Sequence, residues 1–356
     1  MKLSRKICDC AQSPIRKFYP YAVAAQQRGI RIHQLNIGQP DIQTPPAFFE
    51  AIEAGRRDVL AYAESPGIPA LLEAIRAYYA RIGASFETQD ILVTTGGSEA
   101  LQMALTCILD EGDEILIPEP FYPNYNTFVS VTGGVIRPIP TTPEEGYRYA
   151  DRARIEPLIN EHTRAILVTN PGNPTGTMMD REHLEELARF CCRHDLLVLA
   201  DEAYEQILYD GNRHISIAAL PGMWERTVTV QSFSKTYSMC GWRIGYIAAP
   251  VDLIRVIVRA HQTIAMNACA FGQMGALEAL EGPQDSLHQM LREFDRRRLL
   301  LYNGLQELGI PCSRPRAAFY LFPDISEFGM DSFAFAELLL EQYGVATVPG
   351  VEFGRN

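Results

Sequence analysis

What this sequence lacks narrows its function first. No apolar run approaches the ~20 residues that a membrane-spanning helix needs. The N-terminus, Met1-Lys-Leu-Ser-Arg-Lys-Ile-Cys8, is positively charged but has no apolar stretch behind it, so a secretory signal is not expected. Positive charge is in deficit overall. The 32 Lys and Arg face 43 Asp and Glu, giving a formal charge of -11 and a pI near 5.2. That balance speaks against nucleic acid or an anionic membrane as the main partner. The eight cysteines are scattered, as in a reduced cytoplasmic protein. Cys8-Asp-Cys10 and Cys191-Cys192 have no second pair and no histidine at zinc spacing, and the seven histidines form no cluster, so no metal site is expected. Internal repeats and low-complexity segments are also missing.

What remains is a chain of 356 residues, 47% hydrophobic, large enough for two domains. Short continuous apolar runs recur: Ile91-Leu-Val-Thr, Glu114-Ile-Leu-Ile-Pro, Ala165-Ile-Leu-Val-Thr, Leu196-Leu-Val-Leu-Ala, Thr227-Val-Thr-Val and Ile244-Gly-Tyr-Ile-Ala. Such runs suit strands buried on both faces of a mostly parallel sheet. Amphipathic stretches such as Arg181-Glu-His-Leu-Glu-Glu-Leu-Ala-Arg-Phe lie between them. The alternation predicts an α/β fold, a three-layer large domain over 46–285. The tail reads differently. A charged helix over 287–308, the apolar stretch Ala318-Phe-Tyr-Leu-Phe and a helix over 333–343 suggest a smaller α+β domain built from 286–356 with 1–45, C-terminally short.

Ligands of open α/β sheets gather at the carboxyl ends of strands, so the residues after each run carry the chemistry. Gly96-Gly97-Ser98 follows the first run and opens a helix, leaving backbone N–H groups for an anion; a plain tight turn explains it equally well. It matches neither the dinucleotide-binding glycine pattern nor a P-loop. Asn170-Pro-Gly-Asn-Pro-Thr-Gly176 is a turn that makes Asn173 a candidate side-chain donor. Asp201-Glu-Ala-Tyr204 sets a carboxylate after a buried run, which is costly unless a cation meets it; an N-cap aspartate is the other explanation. Ser232-Phe-Ser-Lys-Thr-Tyr-Ser-Met-Cys-Gly-Trp-Arg-Ile-Gly245 places Lys235 at a strand end between Ser232 and Arg243. A phosphate site beside a desolvated amine is what a Schiff-base lysine needs.

These segments, with Leu35-Asn-Ile-Gly-Gln-Pro-Asp41, Tyr62 with Ser65-Pro-Gly67, Thr95-Gly-Gly-Ser-Glu-Ala-Leu101 and Pro120-Phe-Tyr-Pro-Asn-Tyr125, carry a resemblance. From about Ser13 to Gly354 the chain resembles the fold-type I, pyridoxal-phosphate-dependent aminotransferases of class I/II, the aspartate aminotransferase-like group. The resemblance implies amino transfer from an amino acid to a 2-oxo acid through an imine between Lys235 and pyridoxal 5'-phosphate. Lys235, neutral through burial and a neighbouring cation, would then move the substrate's Cα proton. Asp201 would keep the ring nitrogen protonated. Tyr204 and Asn173 would bond the ring's 3-oxygen, and Tyr122 would stack on the ring. Gly97, Ser98, Ser232 and Arg243 would meet the phosphate. Tyr62 would reach the opposite subunit's phosphate in a homodimer with shared sites, and Gly38 would offer its N–H to the substrate carboxylate.

Alternatives keep the cofactor and change the outcome: a β-elimination or carbon-sulfur lyase, or a cyclopropane-forming synthase. A non-catalytic, cofactor-binding regulatory or degenerate protein is a third. Ser98 stands where some relatives carry a lysine for an acidic side chain, so the sequence gives no direct support for aspartate; Tyr21, Ile37 and Tyr125 could line an aromatic or aliphatic pocket. Ala317 replaces a glycine usual in the family. The family segment resembling Val348-Pro-Gly-Val-Glu-Phe-Gly354 is followed by an arginine that grips the α-carboxylate, and Arg355 falls too early for that role. The expectation is a chain that binds the cofactor but transaminates weakly. An extended version should be tens- to thousands-fold faster, at about 1.5–3 kcal/mol per charged hydrogen bond; equal turnover overturns this.

Overall fold

Strands form where apolar residues run without a break, because both faces of the sheet they enter are covered. A computed structural model of the chain describes residues 3–8, 10 and 14–354. Helices α1 (Arg5–Cys8) and α2 (Pro14–Gln27) lead to the short strand β1 (His33–Gln34), then α3 (Pro46–Ala54) and α4 (Pro69–Arg81). Next come β2 (Ile91–Thr94), α5 (Gly97–Ile108), β3 (Glu114–Glu119), α6 (Asn124–Thr132), β4 (Val135–Pro140), α7 (Arg152–Ile155) and β5 (Thr163–Thr169). They are followed by α8 (Arg181–Arg193), β6 (Leu197–Asp201), β7 (Thr227–Ser232), the single turn α9 (Phe233–Thr236) and β8 (Gly245–Ala248). Helices α10 (Val251–Ile264), α11 (Ala270–Glu281), α12 (Asp285–Glu307) and α13 (Ser332–Tyr343) precede β9 (Val345–Ala346).

Seven strands make one sheet in the order β2-β8-β7-β6-β5-β3-β4. Strand β8 runs antiparallel to both its neighbours, and the other pairs are parallel. Side chains alternate between its faces. Ile91 and Val93 pack with Leu71, Ile75 and Tyr79 of α4, whereas Leu92 packs with Ala100 and Leu105 of α5. Leu116, Ile166, Val168 and Val198 meet Leu184 and Leu187 of α8. The result is a three-layer α/β fold with a mostly parallel sheet, held chiefly by apolar burial at roughly 1.5–3 kcal/mol per large side chain.

Helix ends follow local chemistry. The Asp180 carboxylate accepts the His183 N–H at 3.1 Å to start α8. Asp331 likewise caps α13 through Ala334, and Gly344, at φ +69°, ends it. Strand β4 is not among the apolar runs, because Pro138 and Pro140 interrupt it and only Ile139 is buried. An edge position tolerates the missing N–H groups. In the tail, α12 and α13 lie where helices are expected, and α12 begins two residues earlier, at Asp285. The stretch 318–322 forms no regular strand; Ala318 takes φ +57°, and only isolated bridges join Leu208 to Ala317 and Cys312 to Pro323. N-terminal β1 pairs with β9, tying the start of the chain to its tail. Helix α12 is anchored by the buried Arg298 guanidinium, which donates to Asp210 at 2.8 and 3.0 Å and lies 4.3 Å from the Tyr209 ring centroid.

At Gly245 three backbone atoms crowd the position, and a Cβ would sit 2.7 Å from Gln231 O, Gly96 C and Gly97 N. Backbone cannot yield there, so Gly245→Ala should destabilise by about 1–3 kcal/mol. Gly304, in α12 with nothing within 4 Å of an added Cβ, should behave oppositely: Gly304→Ala should stabilise by roughly 0.5–1 kcal/mol. Urea unfolding of both variants checks the pair of signs.

Candidate active site

Sheet register decides which strand ends meet. Thr169 pairs with Asp201, and Asp201 with Val230. Ser232 pairs with Gly245, which also pairs with Thr94 at the end of β2. The carboxyl ends of β2, β5, β6 and β7 therefore open into one cavity of about 340 Å³. Its wall holds Gly38, Gly97, Ser98, Tyr122, Asn173, Asp201, Tyr204, Ser232, Lys235 and Arg243. These are all the catalytic, cofactor-binding and carboxylate-binding candidates read from the sequence except Tyr62, which is 83% exposed on the loop before α4.

One end of the cavity is built for an anion. Helix α5 has no side-chain cap at Gly96, so its first N–H groups lie free at the positive end of the helix. Gly96 takes φ +80°, and a Cβ there would lie 2.5 Å from Arg243 Nη2, so the guanidinium rests on bare backbone. Arg243 itself adopts φ +57° and donates Nη1–H to Cys240 O at 3.0 Å. Among the described residues no carboxylate forms an ion pair with it. The Ser232 hydroxyl, accepting the Ser234 N–H at 3.2 Å, completes this end.

The other end carries the acid. Asp201 ends β6 with its side chain buried; Oδ2 accepts from Tyr125 Oη at 2.7 Å and Oδ1 from the Ala203 N–H at 3.2 Å. Burial raises its pKa above the usual carboxylate range, and the two hydrogen bonds and Lys235 oppose that rise. Lys235 Nζ lies between the two ends and donates to the Gly38 carbonyl. Burial lowers its pKa; Arg243 adds to the lowering, while Cys240 and Asp201 oppose it. The amine is thereby moved toward its neutral, nucleophilic form. Tyr204, pointing inward from the turn after β6, shares a hydrogen bond with Tyr320. Tyr320 Oη also lies 2.8 Å from where a Cβ on Gly38 would stand, so a side chain there would have to displace that hydroxyl.

Several site neighbours have no signal in the sequence pattern. Tyr320 comes from a segment 116 positions away from Tyr204. Behind Asp201, Glu202 faces His214 at 3.2 Å, both side chains buried. Glu205 takes a hydrogen bond from Tyr78, and burial pushes its carboxyl up to about 7. Burial disfavours charging His214, yet Glu202 and Glu205 outweigh it and raise its pKa.

One expectation for a substrate pocket needs correction. Tyr21 is not on the cavity wall; its ring packs 5.8 Å from Phe18 in a cluster with Leu340 and Ala346. Tyr125 is on the wall, its hydroxyl donating to Asp201. Ile37 does line the cavity. Ala317 lies off it, fully buried, with its N–H donating to Gly176 O at 3.1 Å. Arg355 lies outside the described residues.

Comparison with known proteins agrees with this geometry. The sequence model of the family described as aminotransferase class I and II matches residues 31–355. The putative aminotransferase YugH of Bacillus subtilis strain 168 is 40% identical over 99% of this chain and 90% of its own length. Aromatic-amino-acid aminotransferase 2 of Thermococcus litoralis is 38% identical over 100% of this chain and 91% of its own. The solved structure of Thermus thermophilus aspartate aminotransferase with maleate superposes with a TM-score of 0.92 at 36% identity, covering 99% of this chain and 92% of that one. These likenesses favour amino transfer over a lyase reaction. The chain belongs to the aminotransferase class I and II family and is itself an aminotransferase.

Proposed function

We propose that the cavity holds pyridoxal 5'-phosphate and moves an amino group from an amino acid to a 2-oxo acid. The observation that carries this reading is the order of the strand ends around one cavity: the uncapped α5 after β2 and Arg243 before β8, then Lys235 after β7, then buried Asp201 at the end of β6. The donor set fits the cofactor. A dianionic phosphate matches the bare Gly96–Gly97 turn, Ser98, Ser232 and an arginine with no carboxylate partner among the described residues. A ring nitrogen matches a buried carboxylate with lone pairs to spare.

Bound there, the cofactor withdraws electrons from the substrate's Cα so that a proton can leave and return. Lys235 Nζ would attach the cofactor and then carry that proton, which requires the neutral amine that burial favours. Asp201 would accept the ring N–H. Tyr204 Oη and the Asn173 amide would donate toward the ring's oxygen, and Tyr122 would cover a ring face. Gly38 would present its backbone to the substrate carboxylate. Tyr62, exposed here, would complete the phosphate site of a second copy in a homodimer. The same reading assigns 46–285 to the cofactor-holding domain and 1–45 with 286–356 to the smaller one, supported by the β1–β9 pairing. Eight free thiols support a cytoplasmic location.

Borohydride reduction of the cofactor-loaded protein should leave a pyridoxyl label on Lys235, read by peptide mass; a label elsewhere, or none, refutes the assignment. A panel of amino donors with 2-oxoglutarate should form the matching 2-oxo acid, and ammonia released without an acceptor would favour elimination instead. Because only the neutral amine captures an aldehyde, capture of pyridoxal by the apoprotein should rise with pH through a midpoint below that of ordinary lysine. Arg243→Ala should move that midpoint upward, since a neighbouring cation is removed. It should also weaken pyridoxal 5'-phosphate by about 1.5–3 kcal/mol while sparing unphosphorylated pyridoxal at high pH. Absorbance titration at the imine band measures both.

A further inference from the structure

Tyr125 stands closest to the charge on which the proposed function turns, and that function leaves its hydroxyl unused. The side chain is fully buried on α6, edge-on to Tyr122 with ring centroids 5.4 Å apart. Its Oη lies 2.7 Å from Asp201 Oδ2 and 2.8 Å from Thr169 Oγ1. An ionised carboxylate can only accept, so the single phenolic proton goes to Asp201, and Thr169 must donate to Tyr125. The hydrogen bonds then run one way, from Thr169 through Tyr125 to Asp201. Both ends are set by the sheet, because Thr169 and Asp201 are register partners on β5 and β6.

We propose that Tyr125, backed by Thr169, is a positioning residue that orients Asp201 and keeps it ionised for the cofactor's ring nitrogen. The proposal rests on the reading that Asp201 meets that nitrogen. Five other titratable groups face Asp201: Lys235 from α9, neighbouring Glu202, and the phenols Tyr122, Tyr204 and Tyr320. Only Lys235 brings positive charge, and it must act as a neutral amine during the reaction. Glu202 works against ionisation. The donors that stay in place throughout are the Tyr125 hydroxyl and the more distant Ala203 N–H, 3.2 Å away. A phenylalanine would fill the same space and make the same ring contact. The hydroxyl is therefore present for the carboxylate.

The test compares binding of two probes to apoprotein by fluorescence: pyridoxal 5'-phosphate and its 1-deaza analogue, which has C–H in place of the ring nitrogen. Tyr125→Phe should bind pyridoxal 5'-phosphate about ten- to a hundred-fold more weakly while changing the analogue's affinity less than about threefold. Losing the donor raises the Asp201 pKa further, and a protonated Asp201 no longer attracts a ring cation. The pH below which pyridoxal 5'-phosphate affinity falls should therefore lie higher in the variant than in the wild type. Equal losses for both probes would show a merely structural role, and unchanged affinity would show none; either overturns the proposal. Asp201→Asn separates the two assumptions. If it binds pyridoxal 5'-phosphate as tightly as wild type, the ring-nitrogen assignment itself fails. If it loses the preference for the nitrogen-bearing probe while Tyr125→Phe retains it, only the role of Tyr125 falls. Should Tyr125→Phe not fold by circular dichroism, Thr169→Val removes the donor behind it and should give the same selectivity at about three- to tenfold; no selectivity there also overturns the proposal.

Discussion

A negative charge buried at the end of a central strand has to be met by something, and much of the site is what meets it. Asp201 closes β6 among residues that are almost wholly out of water. Leaving a carboxylate there unsupported costs several kcal/mol, and proteins usually respond by protonating it or pairing it. Here the supports come from three directions: a phenol from α6, a backbone N–H from the turn that follows, and an amine from the turn after β7. The acid and the amine perturb each other through burial and charge, and that mutual perturbation makes the pair chemically useful.

The opposite end of the cavity is governed by space. Strand β8 comes so close to β7 and the start of α5 that a side chain is excluded at Gly245, and the Arg243 guanidinium takes the room left by the missing Cβ of Gly96. A cation on bare backbone, beside an uncapped helix start, is a ready-made anion site. Its position is rigid because every strand contributing to it is buried on both faces. The separation of this end from Asp201 is set by sheet geometry, because the groups sit on neighbouring strand ends.

The tail acts on the site from outside the sheet. Tyr320 reaches Tyr204 and crowds Gly38, while Arg298 binds α12 to the turn that carries Asp210. Movement of that tail would change the hydroxyl pair at Tyr204 and the carbonyl that holds Lys235. Glu202, His214, Glu205 and Tyr78 form a set of coupled buried titratable groups beside Asp201, and of these Glu202 opposes its ionisation.

The amino-acid sequence alone determined a good deal here. Unbroken apolar runs marked six of the seven sheet strands, since burial on both faces leaves no polar alternation to blur the signal. Residues following those runs, among them Gly97, Asn173, Asp201, Ser232 and Lys235, formed much of the candidate list, because a strand end is where backbone direction delivers side chains to a crevice, and the family resemblance supplied the roles. Strand β4 escaped, its prolines tolerable only at an edge that local pattern cannot reveal. What tertiary structure decided was partnership. Tyr125, read as a possible pocket wall, lines the cavity and is also the donor to Asp201; Tyr21, read the same way, packs on Phe18 instead. Tyr320, Thr169 and His214 carry no local mark of the partners they meet. Each acts across a distance in sequence that only register and packing close, and a hydrogen bond records where two chains of residues meet, which neither chain contains by itself.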